Sequence, residues 1–194
     1  MGMSMPSWYD IIGLDSRSNE SCEGIEDSIA KIMKLVDDEV DISEDNENDN
    51  YDEKEECKSS LDYSRVVLAG FSQGGALALY TGMSQHRTKE QSKGLGLAGI
   101  VVMSGYLPNS KQFTVTKGSE DTPILHCHGI DDNVVPVQAT EVAKARVDEL
   151  VSEMGGDTSN LYQVKTYRGL DHSVSMEELN DVANFLKRVI PQDI

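Results

Sequence analysis

A short serine motif bracketed by glycines is the first feature of this sequence that could carry out chemistry. Residues 70–74 read Gly-Phe-Ser-Gln-Gly, the pattern G-x-S-x-G. A strand is predicted over residues 65–69 and a helix from about residue 74 to 83, so Ser72 falls on the sharp turn between them. Such a turn needs strained backbone angles and a close strand–helix approach, and we expect positions 70 and 74 both to require a missing side chain. The motif therefore predicts an exposed serine nucleophile, with the backbone N–H of Gln73 directed at a developing oxyanion.

A serine hydroxyl needs a base to remove its proton and a third group to orient that base. After a nucleophile turn of this kind, the acid and then the histidine follow along the chain, each on a loop after a strand. Residues 128–136 and 167–173 are two such loops. His172 is the histidine that stands where the base belongs. Asp132 is the favoured acid, and Asp131 and Asp171 are the alternatives.

The other three histidines are assigned no catalytic part. His86 lies in a polar stretch and is expected to be solvated. His126 and His128 belong to a buried apolar run or end it, where hydrogen-bonded structural roles are expected.

The elements that must position these residues alternate between strands and helices. Apolar runs predict strands at 65–69, 98–103, 124–127 and 161–166. Further helices are predicted from Ser21, over residues 137–154 with Gly155-Gly156 as the stop, and from Ser175, which forms a capping box with Glu178. This alternation predicts the fold class α/β: a mainly parallel sheet with helices on both faces.

Two of these helices carry a clear apolar face. The first is predicted to bury Ile25, Ile29, Ile32, Met33, Val36 and Val40. The last is predicted to bury Met176, Leu179, Val182, Leu186 and Val189.

Length and charge indicate a single domain that carries an acidic insertion. A chain of 194 residues fits one domain, 1–194. Residues 37–56 hold 12 acidic side chains and one lysine, and so carry −11 of the formal charge of −17. Self-repulsion predicts a disordered, solvated insertion at about 41–60. No stretch concentrates Lys and Arg into a phosphate-binding patch, which argues against a nucleic-acid partner.

The remaining bulk features point to the cytoplasm. The three cysteines are irregularly spaced and form no CxxC pair, which favours a reducing compartment. No apolar run approaches the roughly 20 residues that span a bilayer, and no secretory signal is visible.

Four separated segments resemble the acyl-protein thioesterases, in the phospholipase/carboxylesterase or lysophospholipase-like group of α/β-hydrolases. They are Gly-Phe-Ser-Gln-Gly-Gly-Ala at 70–76, Ser-Gly-Tyr-Leu-Pro at 104–108, His-Gly-Ile-Asp-Asp at 128–132 with Val-Pro at 135–136, and residues 167–173. The opening Met-Pro-Ser-Trp-Tyr-Asp-Ile at 5–11 is similar to that family as well. The resemblance runs nearly end to end.

The resemblance implies a serine hydrolase that works through an acyl-enzyme without metal or cofactor. Ser72, Asp132 and His172 would form the triad, and the Gln73 amide would give one half of the oxyanion hole. Tyr106, Leu107 and Pro108 would border the acyl channel. The implied substrates are S-palmitoylated proteins, lysophospholipids and small esters. Transient membrane contact fits such substrates, although the chain has no strong amphipathic or basic anchor.

The sequence also departs from that family. The acidic run and part of residues 84–96 are interpreted as surface insertions. Family members have further strands before the Pro-Ser-Trp segment, one of which ends in a loop that supplies the second oxyanion amide. The resemblance thus implies an N-terminally truncated fold, in which loss of one donor would cost ~10²–10³ in rate. It would also leave the strand at 65–69 as an exposed edge. From this we expect low solubility and weak turnover, and the rival hypothesis is a catalytically weak or silent binding module.

Overall fold

The computed structural model describes residues 7–11, 22–41, 63–84 and 96–190. Three predictions lie outside these residues: the Ser21 cap, the disorder of the acidic insertion beyond residue 41, and the solvated His86. The segment between residues 84 and 96 lies outside them as well.

The described residues form a four-stranded parallel sheet in the order β1-β2-β3-β4. The strands are β1 (Val67–Phe71), β2 (Gly99–Met103), β3 (Ile124–Gly129) and β4 (Tyr162–Tyr167). Parallel pairing brings the carboxyl ends of the four strands to one edge, where the loops after them meet. Within the described part of the chain, β1 pairs with β2 alone and forms the outer strand.

Each of the four strands differs from the sequence prediction by one or two residues at one end or both. The first strand begins at Val67 rather than at residue 65, because Tyr63–Arg65 form a turn of 3₁₀ helix. The third continues past residue 127 to Gly129, because its pairing with β4 extends through His128 and Gly129. The longer β3 places His128 within the strand, at its next-to-last position.

The helices cover both faces of the sheet, as predicted. They are α1 (Ile25–Asp41), α2 (Gln73–Ser84), α3 (Gln138–Glu153) and α4 (Met176–Val189). Ile100 and Val102 of β2 pack in one apolar cluster with side chains of α1, α2 and α3. Val101, between them in sequence, packs in the other cluster with Phe185 of α4. This alternation along a strand is what a sheet buried on both sides requires.

The apolar face predicted for the first helix is confirmed. Ile25 and Val36 are buried, and the other four predicted positions are half-buried. Helix α1 packs mainly against α2 rather than on the sheet itself.

The last helix begins as predicted, and three of its five predicted apolar positions, Val182, Leu186 and Val189, pack against the apolar cluster that contains Val101. Ser175 caps α4, and its capping box with Glu178 is complete. The predicted burial of Met176 and Leu179 is wrong, since they are 72% and 42% exposed. Phe185, which the sequence analysis passed over, is buried where its ring packs against Gly99 of β2. The helix faces the sheet along the row of residues 178, 182, 185 and 189, and the two exposed side chains fall beside that row.

None of the described helices has both the length and the apolar character needed to cross a bilayer.

Candidate active site

Ser72 lies at the turn between the end of β1 and the start of α2, as the motif predicts. Its φ angle is 54°, a left-handed conformation that is strained for a residue with a side chain. The turn is held on both sides: the Ser72 N–H donates to the carbonyl of Met103 at 2.8 Å, and the Ser72 carbonyl accepts from Ala76 at 3.0 Å. Gln73 is the first residue of α2, and the first N–H groups of a helix have no partner within it.

The backbone packing requires glycine at position 70, as predicted, but at position 75 rather than at position 74. A Cβ at Gly70 would lie 2.2 Å from the backbone of Gly74, so residue 70 must lack a side chain. A Cβ at Gly74 would have Trp8 Nε1 as its nearest neighbour, at 3.9 Å, so the predicted need for glycine there is wrong. The second tight position is Gly75, whose Cβ would come within 2.8 Å of the Gly70 carbonyl. At residue 74 the backbone faces the strand, whereas a side chain there would point away from it.

The structure brings Ser72, His172 and Asp132 together, although 100 residues separate the first two. His172 Nε2 lies 2.9 Å from Ser72 Oγ, and His172 Nδ1 lies 2.8 Å from Asp132 Oδ2. A carboxylate can only accept, so the ring proton sits on Nδ1, and Nε2 is left to accept the serine hydroxyl proton. The ring of Phe71 lies 4.9 Å from the imidazole, centroid to centroid. A hydroxyl, an imidazole and a carboxylate in this order can generate an oxygen nucleophile.

Asp132 is buried and its carboxylate is held by several donors. Oδ1 accepts from the backbone N–H groups of Val134 at 2.9 Å and Val135 at 2.8 Å, which leaves Oδ2 to face His172. Burial acts to raise the pKa of Asp132, but the hydrogen bonds from His172, Val135 and Val134 outweigh it and hold the pKa below its usual value. The carboxylate is therefore ionised at neutral pH.

The two alternative acids lie in other environments. Asp131 Oδ2 accepts the backbone N–H of Gly169 at 2.8 Å, and so ties the loop of Asp132 to the loop of His172. Asp171 is exposed and accepts the hydroxyl of Ser173. Of the three aspartates, Asp132 is thus the one whose carboxylate lies within hydrogen-bond distance of the His172 imidazole.

His126 and His128 are fully buried and hydrogen-bonded, as predicted. His126 Nδ1 lies 2.8 Å from the hydroxyl of Tyr162, and His128 Nε2 lies 2.8 Å from the carbonyl of Val135. His128 Nε2 is also 3.4 Å from Asp132 Oδ2.

An open cleft of about 490 Å³ lies beside Ser72. It is lined by Ser7, Trp8, Phe71, Ser72, Gln73 and Gly74. Two of these, Ser7 and Trp8, belong to residues 7–11, which we name the strap. The volume is in the range of small-molecule sites.

The side chain of Gln73 fastens the strap to the nucleophile turn. Its Oε1 accepts the backbone N–H of Trp8 at 3.0 Å, and its Nε2 donates to the carbonyl of Tyr9 at 2.7 Å. The Trp8 carbonyl in turn accepts the hydroxyl of Ser28 on α1. This fastening could not be predicted from the sequence, because about 65 residues separate its two sides and neither side carries a spacing pattern that points to the other. The similarity of residues 5–11 to the family was the one available signal.

The segment Tyr106-Leu107-Pro108 lies behind the strap. The hydroxyls of Tyr106 and Tyr9 are 2.8 Å apart, and Leu107 is buried in the apolar cluster of α2. None of the three is among the residues that line the cleft beside Ser72.

No group of three or more histidine, cysteine, aspartate or glutamate side chains suited to a metal ion occurs in the described ranges.

The class of fold is shown by solved structures. SOBER1 of Arabidopsis thaliana superposes with a TM-score of 0.71 at 26% identity, over 98% of this chain and 77% of that one. Zea mays acyl-protein thioesterase 2 has a TM-score of 0.68 at 20% identity, with 95% and 73% of the two chains covered. A Bacillus cereus carboxylesterase has a TM-score of 0.63 at 12% identity, with 97% and 71% covered. The fold is that of the α/β-hydrolases.

The family is shown by sequence. Residues 1–190 match the model of the Phospholipase/Carboxylesterase family. Acyl-protein thioesterase 1 of Neurospora crassa is 34% identical over 202 residues, covering 98% of this chain and 68% of that protein. Acyl-protein thioesterase 1 homolog 1 of Dictyostelium discoideum is 32% identical over 192 residues, covering 98% and 71%. The chain belongs to the phospholipase/carboxylesterase family of hydrolases.

Proposed function

We propose that this protein is a serine hydrolase that cleaves acyl thioesters or esters through an acyl-enzyme on Ser72. Its substrates would be S-acylated proteins, lysophospholipids or carboxylesters. The observation that carries the proposal is the single imidazole of His172, bonded to Ser72 through one nitrogen and to Asp132 through the other.

The first half of the reaction transfers the acyl group. His172 Nε2 takes the hydroxyl proton as Ser72 Oγ attacks the acyl carbon, and Asp132 stabilises the imidazolium that results. Negative charge on the former carbonyl oxygen is met by the Gln73 N–H at the positive end of α2. The thiolate or alkoxide then leaves with the proton from Nε2, and the acyl group remains on Ser72.

The second half releases the acid. Water gives a proton to His172 Nε2 and attacks the acyl carbon, and the collapsing intermediate returns that proton to Ser72 Oγ. The products are a carboxylic acid and the free enzyme. The cleft beside Ser72 supplies space for the scissile group, and Tyr106, Leu107 and Pro108 are proposed to border the path of the acyl chain behind the strap.

A fluorophosphonate probe tests the proposal, because it reacts covalently with an activated serine. We expect labelling of the wild type and loss of labelling in Ser72→Ala and in His172→Ala. Turnover of a p-nitrophenyl ester and of an S-palmitoylated peptide then compares the oxyester with the thioester. An unlabelled wild type with a folded circular-dichroism spectrum would instead support the rival hypothesis of a silent binding module.

A further inference from the structure

A second imidazole lies beside the carboxylate of Asp132, near the same oxygen that faces His172. His128 is the next-to-last residue of β3, and Asp132 follows it by four residues on the loop. Both side chains are fully buried, and His128 Nε2 lies 3.4 Å from Asp132 Oδ2. That separation is long for a hydrogen bond, so the main effect of His128 must pass through a closer partner.

The closer partner is Val135. Its carbonyl lies 2.8 Å from His128 Nε2, and its N–H donates to Asp132 Oδ1 at 2.8 Å. Val135 is therefore held from both sides, by the imidazole at its carbonyl and by the carboxylate at its amide. Fixing Val135 fixes the carboxylate plane, and with it the oxygen that faces His172.

The bond to the Val135 carbonyl fixes the position of the ring proton on His128. A carbonyl only accepts, so His128 carries its proton on Nε2 and its Nδ1 is an acceptor. His126 Nε2 lies 3.5 Å from that Nδ1, and His126 Nδ1 lies 2.8 Å from the hydroxyl of Tyr162. At 3.5 Å the contact between the two rings is too long to orient His128, so its bond to the Val135 carbonyl is the one that does.

His126, His128 and Tyr162 hold no net charge at neutral pH. Burial lowers the pKa of His128 and lowers that of His126 to about 3. Burial also raises the pKa of Tyr162, which therefore keeps its proton. A cation at residue 128 would compete with His172 for the carboxylate, whereas a neutral donor leaves the full charge of Asp132 to stabilise the imidazolium formed during the reaction.

We propose that His128 is a positioning residue of the active site, which holds the carboxylate of Asp132 toward His172 by anchoring Val135. The inference rests on the proposed function of Ser72, Asp132 and His172, and deepens it. A purely structural role for His128 would affect folding alone and would leave the pairing of His172 with Asp132 unchanged.

Two variants separate these roles. His128→Leu fills the volume but cannot donate, whereas the side-chain amide of His128→Gln can place an N–H at the Val135 carbonyl.

For His128→Leu we expect kcat on a p-nitrophenyl ester to fall about 10²-fold, the scale of a small misplacement of a catalytic group. KM should change little, because the loss is confined to the transition state. The acid limb of the pH–rate profile should move to lower pH, since the imidazolium is less stabilised. His128→Gln should restore most of kcat and the wild-type profile.

A readout that needs no turnover is the strongly deshielded NMR signal of the proton between His172 Nδ1 and Asp132. We expect this signal in the wild type and in His128→Gln, and its loss or upfield shift in His128→Leu. Tyr167→Phe is the matched control, because its buried hydroxyl bonds Cys127 and Asp181 on the opposite face of the sheet. That control should keep both the signal and the pH profile.

The outcomes are distinct. A folded His128→Leu with the wild-type signal, kcat and pH profile overturns the positioning role. A wild type that fails to react with the fluorophosphonate probe overturns the proposed function, and the proton signal still decides whether His128 holds Asp132. If His128→Leu does not fold, His128→Asn replaces it, since the shorter amide cannot reach Val135 and the same losses are expected.

Discussion

At the scale of single residues, the site depends on which atom of each side chain faces its partner. Asp131 and Asp132 are neighbours in sequence, yet their carboxylates accept hydrogen bonds from different partners. Oδ2 of Asp132 meets the imidazole of His172, while Oδ2 of Asp131 meets the backbone of Gly169 on the neighbouring loop. Replacing each aspartate by asparagine should therefore have very different effects.

Asp132→Asn should lower kcat by ~10⁴, because an amide N–H opposite Nδ1 favours the wrong histidine tautomer. Asp131→Asn should keep kcat within a few-fold, since the asparagine oxygen can still accept the Gly169 N–H. Steady-state kinetics on one p-nitrophenyl ester measures both. A larger loss in Asp131→Asn than in Asp132→Asn would contradict the assignment of the acid.

Gln73 has two separate tasks, one for its backbone and one for its side chain. Gln73→Met keeps the backbone N–H but removes both bonds to the strap, at Trp8 and Tyr9. We expect KM for a bulky acyl ester to rise severalfold as the cleft wall loosens, with a smaller change in kcat. Comparison with a short acetyl ester is the control, since a small substrate depends less on that wall. Equal effects on the two esters would show that the strap does not contact the acyl group.

At the scale of elements, the nucleophile depends on how closely α2 approaches β1. The left-handed backbone at Ser72 is strained, and the pairing of β1 with β2 together with the packing of α2 must hold it in place. That approach leaves no room for a side chain at Gly70, whereas Gly74 faces the cleft.

Gly70→Ala should destabilise the protein by several kcal/mol or prevent folding, because its Cβ would overlap the backbone of residue 74. The nearest neighbour of a Cβ at Gly74 would be Trp8 Nε1 at 3.9 Å, an ordinary van der Waals distance, so Gly74→Ala should fold normally. Urea unfolding followed by circular dichroism compares the two. If Gly70→Ala were as stable as Gly74→Ala, the turn geometry described above would be incorrect.

At the scale of the whole molecule, burying neutral histidines links stability to pH. The unfolded chain takes up a proton at His126 below pH 6.5, whereas the folded protein does so only at about pH 3, owing to burial. Stability should therefore be constant above pH 6.5 and fall as the pH drops toward 3. The pKa of Asp132 is lowered in the fold, so its ionised carboxylate adds to stability until the pH falls below the ordinary pKa of an aspartate. The effect of His126 therefore begins at a higher pH than the effect of Asp132.

Between pH 6.5 and about 3, protonation of His126 in the unfolded chain should lower the free energy of unfolding by up to about 1.4 kcal/mol per pH unit. His126→Gln should be less stable at pH 7, because it disturbs the core, but its stability should decline less steeply toward pH 5. The free energy of unfolding, taken from urea titrations at both pH values, gives the slope. An identical slope in the two proteins would mean that His126 is protonated in the fold.

Much of this architecture could be read from the sequence, because local patterns encode it. Buried strands appear as continuous apolar runs, amphipathic helices repeat every 3.6 residues, and the capping box of Ser175 and Glu178 is a local signature. The order of Ser72, Asp132 and His172 on loops after parallel strands was sufficient to predict that they approach one another, since such loops meet at one edge of a sheet.

Tertiary structure alone decided which atoms meet. The burial of Phe185 in place of Met176 and Leu179, and the tight fit at Gly75 rather than Gly74, both depend on the rotation of an element against its neighbour. The side chains of Gln73 and His128 bond to backbone groups of the strap and of Val135, and backbone groups are identical at every residue. Sequence specifies elements through side-chain patterns, but which backbone group a side chain meets is decided only once the chain has packed.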